Sequence, residues 1–132
     1  MKISATVDSS TAGHAVSVRT DDAVQPLAVP QKPACHGSAV NGGEFLMLAL
    51  ATCYCNDLYR EAARLGIAID GVEVAASAEF AGRGLAATDI RYRARIRSAA
   101  TPAEIDELLR QTDAVAEVHN TLRNGAPVTL ER

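Results

Sequence analysis

Of the residues in this chain, the three cysteines, Cys35, Cys53 and Cys55, are best suited to covalent chemistry. A thiolate is both a nucleophile and a redox group, and a thiol ionises readily when a cation or a helix N-terminus lies beside it. Cys53 and Cys55 fall within a long apolar segment that reads as helix. At ~100° per residue their side chains point about 200° apart, so they cannot bond to each other in an intact helix. Cys55 shares a stripe with Leu48, Ala51, Leu58, Tyr59 and Ala62, which is apolar throughout. Cys53 shares one with Leu46, Ala49, Leu50, Asn56, Asp57 and Arg60, which turns polar one turn onward. Cys53 is therefore the functional candidate, against the competing reading of either cysteine as a small buried hydrophobe.

Activation of Cys53 needs a cation, because the helix N-terminus lies roughly 18 Å away, beyond the reach of its dipole. Arg60, two turns later on nearly the same face, directs its side chain back toward the N-terminus and is the candidate. Its ordinary alternative is a solvated residue paired with Asp57 or Asn56. Glu44 lies nine residues before Cys53, about half a turn out of phase, and would need a bend or a second subunit to reach the sulfur. Cys35 precedes the helix and is a candidate second thiol or an incidental loop residue. Cys35 and His36 with Cys53 or Cys55 lack metal-ligand spacing such as C-x2-C or H-x3-H, so no metal or cofactor is expected. His14 and His119 are isolated. Arg91, Arg93, Arg95 and Arg97 alternate on one strand face, as an anion-binding face or as a solvated face partnered by Glu73 and Glu79 of the neighbouring strand.

These residues sit in a chain of 132 residues, the length of one domain with one core, so a single domain over 1–132 is expected. It is 48% hydrophobic, 22% charged and 4% aromatic with no Trp, which excludes a disordered tail and makes the core aliphatic. Thirteen Lys and Arg against sixteen Asp and Glu leave net charge -3, which argues against nucleic acid and anionic lipid as partners. Three cysteines and a start without a signal-peptide pattern predict free thiols in the cytoplasm. The longest apolar run, residues 45–55 broken only by Thr52, is too short for the ~20 residues of a membrane span.

Alternation of Ile3, Ala5 and Val7, and then of Val16 and Val18, predicts an antiparallel hairpin with a loop of three to five residues across 9–13. Residues 21–40, punctuated by Pro26, Pro30 and Pro33, read as loop with a short strand near 27–29. Asn41 with Glu44 three residues on forms a capping box opening a helix to Leu65, stopped by Gly66. Its first half is apolar all round and is expected to be enclosed, whereas the charges of the second half point away from Leu58, Ala62 and Leu65. Period-two runs over 72–80 and 90–97 predict a second hairpin. Thr101, Pro102 and Glu104 open another helix, with Ile105, Leu108 and Leu109 on its buried side. Residues 113–122 continue as helix or turn, and 127–130 as a short closing strand. Strands and helices segregate, so the fold class is α+β on antiparallel sheets with the long helix as spine.

The stretch over 41–58, Asn-Gly-Gly-Glu-Phe-Leu-Met-Leu-Ala-Leu-Ala-Thr-Cys-Tyr-Cys-Asn-Asp-Leu, resembles the central helix of the OsmC/Ohr family, the osmotically inducible and organic hydroperoxide resistance proteins. Gly66 to Val74 resembles that family's helix-to-strand connection, and Val118-His119-Asn120-Thr121-Leu122 resembles the segment after its second cysteine. The resemblance runs from Ser38 to Val128 and implies an intertwined homodimer with the long helices buried between antiparallel sheets. It further implies a thiol-dependent organic hydroperoxide reductase in which Cys53 is the peroxidatic nucleophile and Glu44 the family's glutamate, with Arg60 standing in for an early arginine that residues 9–13 lack. The family's resolving cysteine is replaced by Ala116, so a dithiol or low-molecular-weight thiol would resolve a sulfenic acid on Cys53. The alternative is a family member without peroxidase activity that binds a small apolar ligand at a dimer-interface pocket.

Overall fold

The computed structural model describes residues 1–33 and 36–132. Cys35, the candidate second thiol, lies outside them. The chain divides into two compact units, Met1–Phe45 and Leu46–Arg132, and the element order is that of an α+β fold.

In the first unit, β1 (Ile3–Ser10), β2 (Gly13–Thr20) and β3 (Ala23–Leu27) form an antiparallel sheet in sequence order. The hairpin register sets Val7 against Val16 and Ala5 against Val18, as the alternation predicts. Its loop is tighter than expected. Ser10 pairs with Gly13, leaving only Thr11 and Ala12 between the strands, because the Ser10 hydroxyl accepts the Ala12 N–H at 3.1 Å and closes the turn locally. The third strand also departs from expectation, running over Ala23–Leu27 and not 27–29. Asp21 takes a left-handed backbone (φ 49°), and its N–H and carboxylate bond Lys2, which reverses the chain two residues after β2 and lets Ala23 pair with Thr20. Pro26 is tolerated because β3 is an edge strand.

α1 spans Gly42–Leu65 and begins as the sequence predicts. The Glu44 carboxylate accepts the Asn41 backbone N–H at 2.8 Å, and the Asn41 side chain accepts the Glu44 N–H at 2.9 Å. At the other end Gly66 adopts φ 69°, and the Ile67 N–H reaches back to the Ala62 carbonyl, a left-handed cap that a Cβ would strain.

In the second unit, β4 (Gly71–Glu79) and β5 (Thr88–Arg97) pair antiparallel, followed by α2 (Pro102–Val115) and α3 (Glu117–Arg123). The predicted faces are realised: Val72 opposes Ile96, Val74 opposes Ala94 and Ala76 opposes Tyr92 on the inner face. Tyr54, Leu58, Ala62, Leu108 and Ala116 form the buried centre, with Leu65, Ile67, Ile69, Leu109 and the inner hairpin face packed around it. Each fully buried leucine here contributes roughly 1.5–3 kcal/mol. α2 carries the predicted Thr101 and Glu104 capping box with Pro102 in its first turn.

Three further expectations are corrected. Residues 127–130 form no strand and, among the described residues, pair with nothing: Pro127 offers no N–H, and Val128 is 99% exposed. Glu79 does not oppose an arginine, because a register irregularity between Ser77 and Glu79 sets it against Thr88; Glu73 alone faces one, Arg95. Within the single chain, the second half of α1 does not turn all its charges away from Leu58 and Ala62 as predicted. Leu48 in the apolar half is 57% exposed, whereas the charged Asp57 and Glu61 are buried beside Leu58 and Ala62. The buried stripe runs through Leu50, Tyr54, Asp57, Leu58, Glu61 and Ala62, and so passes between the two cysteines.

Candidate functional site

α1 and the start of α3 position a small cluster around Cys53. One turn of helix places Asp57 directly after Cys53, and the Cys53 Sγ donates to Asp57 Oδ2 at 3.5 Å. Ala116, fully buried with an extended backbone (ψ 99°), interrupts the helix between α2 and α3 and turns Glu117 toward the sulfur, with Sγ to Oε2 4.0 Å. Arg60 lies over the same carboxylates: its Nη1 is 3.0 Å from Asp57 Oδ1 and 4.0 Å from Glu117 Oε1, and its Nε is 3.6 Å from Glu61 Oε1. Arg64 closes the row, bonding Glu61 Oε2 at 2.6 Å. The two buried carboxylates of α1 are thus carried by two arginines at the surface.

These surroundings set the thiol's chemistry. Burial pushes the Cys53 thiol above its ordinary pKa, and the negative charges of Asp57 and Glu117 push the same way, while the Val118 N–H opposes them. Burial likewise raises Asp57 above the usual carboxylate range, opposed by its bond to Cys53 and by Arg60. A thiol held protonated beside a carboxylate of raised pKa is a pair between which a proton can pass.

The sequence-predicted residues are brought together in part. Cys53 and Arg60 meet through Asp57 and Glu117, so Arg60 acts on the sulfur indirectly. Glu44 engages one carboxylate oxygen, Oε2, in the cap of α1 and does not reach Cys53 within the chain. Cys55 is a half-buried free thiol. Sequence reasoning assigned Asp57 only as a partner for Arg60 and did not single out Glu117. The i, i+4 spacing from Cys53 carried the signal for Asp57, whereas Glu117 becomes visible only once Ala116 breaks the helix. The sulfur and the carboxylate oxygens of Asp57 and Glu117 lie within 4.8 Å of one another, a spacing that could hold a metal ion. In this arrangement the Arg60 guanidinium supplies the neutralising charge.

A second group of buried polar side chains flanks this cluster. His119 is 4% exposed, and neither ring nitrogen has a hydrogen-bond partner. Its ring packs against Tyr92 (centroids 4.3 Å) and Tyr54 (5.6 Å), and burial lowers its pKa, with Arg123 adding to the effect. Tyr54 donates to the Leu109 carbonyl at 2.8 Å, and burial, with the Asp113 charge, pushes its hydroxyl up to about 12. Tyr92 donates to Asp113, which also holds Arg123 at 2.7 Å. Leu50, Ile90, Tyr92, His119, Leu122 and Arg123 line a cavity of about 220 Å³.

The architecture has relatives among solved structures. It is similar to an OsmC-like protein from Mycoplasma pneumoniae, with a TM-score of 0.61 and 21% identity over 92% of this chain and 86% of that one. An organic hydroperoxide resistance protein from Elizabethkingia anophelis gives 0.63 and 17%, over 93% and 89% of the two chains. A protein described as an organic hydroperoxide resistance protein OsmC, from Legionella pneumophila, gives 0.61 and 17%, over 93% and 90%. At these identities the likeness is one of fold. No curated protein matches the chain. Residues 35–131, well over half of the sequence, match the family described as OsmC-like protein. The chain belongs to the OsmC-like protein family.

Proposed function

We propose that this protein reduces organic hydroperoxides with Cys53 as the peroxidatic thiol. The observation that carries the reading is the Cys53 Sγ to Asp57 Oδ2 contact at 3.5 Å, with Arg60 fixing the other oxygen of that carboxylate at 3.0 Å. The sulfur attacks the terminal oxygen of the hydroperoxide, forming an S–O bond as the O–O bond breaks. Its proton passes to Asp57, which delivers it to the departing alkoxide, so an alcohol leaves and Cys53 becomes a sulfenic acid. With Ala116 at the resolving position, an external low-molecular-weight thiol or dithiol attacks the sulfenic sulfur, releasing water, and a second thiol frees Cys53 by exchange. The raised thiol pKa makes this a slow peroxidase at neutral pH.

The reading places one domain over 1–132, paired as a homodimer in a reducing cytoplasm. Leu48 and Tyr59, exposed on α1, call for a covering surface, and a second copy would provide it and carry Glu44 as a positioning group. No helix of the described residues is long and apolar enough to cross a membrane.

The test is titration of the native protein with cumene hydroperoxide, trapping sulfenic acid with a cyclic 1,3-dione. An adduct at Cys53, and loss of thiol-dependent peroxide consumption in Cys53→Ser, is the expected result. Absence of both adduct and turnover in the native protein overturns the reading. The cavity of about 220 Å³ beside His119 then favours the second one, an OsmC-fold protein that binds a small apolar ligand without peroxidase activity. Saturable amide shifts at Leu50 and Leu122 on adding benzyl alcohol would mark it.

A further inference from the structure

The outer face of the β4–β5 hairpin carries a feature that the thiol chemistry leaves unused. Arg91, Arg93, Arg95 and Arg97 stand on it about 6.8 Å apart, the two-residue repeat of a strand. Across the ladder the register sets Arg91 against Ser77 and Arg93 against Ala75, two small outward side chains in the middle of β4. A methyl and a hydroxymethyl cannot fill the space beneath two long guanidinium side chains. A trough of about 380 Å³ results, lined by Ala75, Ala76, Ser77, Arg91, Tyr92 and Arg93. Charge on this face is not balanced. Arg91 is held by Asp89 at 2.6 Å through its Nε, and Arg95 stands opposite Glu73, yet among the described residues Arg93, Arg95 and Arg97 have no carboxylate within salt-bridge distance. Same-sign charges at this spacing repel one another, and a bound anion relieves that repulsion.

We propose that this trough binds a phosphoryl group. A carboxylate is satisfied by a single guanidinium fork, whereas a tetrahedral phosphoryl dianion offers three oxygens, one for each of three donor groups in the lining of the trough: the Arg93 fork, the Nη atoms of Arg91 and the Ser77 hydroxyl. The trough is open and one-sided, so the ligand is a small phosphorylated molecule or a free inorganic phosphate, held by its head and extending along the arginine row. The site is independent of Cys53.

Calorimetric titration of the full chain with inorganic pyrophosphate and with phenyl phosphate, near 0.1 M ionic strength, tests the proposal. Saturable binding of both ligands supports a phosphate-ester site, and binding of pyrophosphate alone supports a free-anion site. Arg93→Gln should weaken the affinity about tenfold or more. Ala75→Glu, which sets a carboxylate against Arg93, should abolish it without touching the buried face. Arg110→Gln, an exposed arginine on α2, should leave it unchanged. Affinity should also fall sharply in ~1 M salt, where the screening length shrinks to ~3 Å. No saturable heat with either ligand, or equal binding by Ala75→Glu and Arg93→Gln, overturns the proposal.

Discussion

Glu117 and His119 are two residues apart on α3, and helical geometry sends them to opposite sides. On the Glu117 side, the polar groups that α1 buries have partners: Asp57 has Cys53 and Arg60, and Glu61 has Arg60 and Arg64. On the His119 side, an imidazole equally buried has none at either nitrogen. The difference separates two ways of placing a titratable group in a small core. Where partners are present, Cys53 and Asp57 lie close enough for a proton to pass between them. The unpartnered group gives up its charge, and the edges of Tyr54 and Tyr92 surround it as they would any ring.

The comparison breaks most severely at Asp57. Asp57→Asn keeps the shape and the contact with Cys53 but removes the proton acceptor and the charge that holds Arg60. Single-turnover oxidation of Cys53 by cumene hydroperoxide should slow about 10²-fold, the usual contribution of one general base. If the variant instead oxidises faster, Asp57 merely restrains the thiol through its negative charge and takes no part in moving the proton.

The same contrast explains what was legible beforehand. Both capping boxes, the stop at Gly66 and the pairing of Val74 with Ala94 rest on local chemistry or strict alternation, which neighbours rarely override. The tight Thr11 and Ala12 turn and the early start of β3 depended on a serine hydroxyl and one left-handed aspartate, which carry no periodic signal. At the site, Cys53 and Arg60 could be placed on one face from spacing alone. Burial of Asp57 and Glu61 could not, because polar residues score as surface until arginines a turn away are seen to carry them inside. Glu117 depended on the break at Ala116, where a fully buried alanine ends one helix and begins another.

His119 sharpens the comparison through stability. Its folded pKa is depressed by burial while the unfolded chain keeps about 6.5. Below that value the unfolded state binds the proton first. Stability from the neutral ring is therefore fully present above about pH 6.5 and is lost as pH falls toward the depressed value. His119→Phe should remove that part of the pH dependence in thermal unfolding. At pH 7 it should raise stability by about 1 kcal/mol, because two desolvated nitrogens without partners are replaced by ring carbon. A variant that keeps the native slope below about pH 6.5 would place the titrating group elsewhere.

Glu117 tests the partnered side most gently. It is 71% exposed at the side chain, so its charge acts on Cys53 through screened solvent, whereas Asp57 acts from a buried position. Burial is the first cause of the raised thiol pKa and Glu117 the last, and the two respond to different treatments. Glu117→Gln should lower the pH at which Cys53 is alkylated by iodoacetamide, read peptide by peptide to separate it from the other cysteines, by a few tenths of a unit. That shift corresponds to about a twofold faster reaction at pH 7. In ~1 M salt the native and variant curves should converge, while both stay above the ordinary thiol range, because salt screens a surface carboxylate but leaves desolvation untouched. Persistence of the gap at high salt would mean that Glu117 acts by direct contact with the sulfur, as Asp57 does, and the two carboxylates would then form one partnered site.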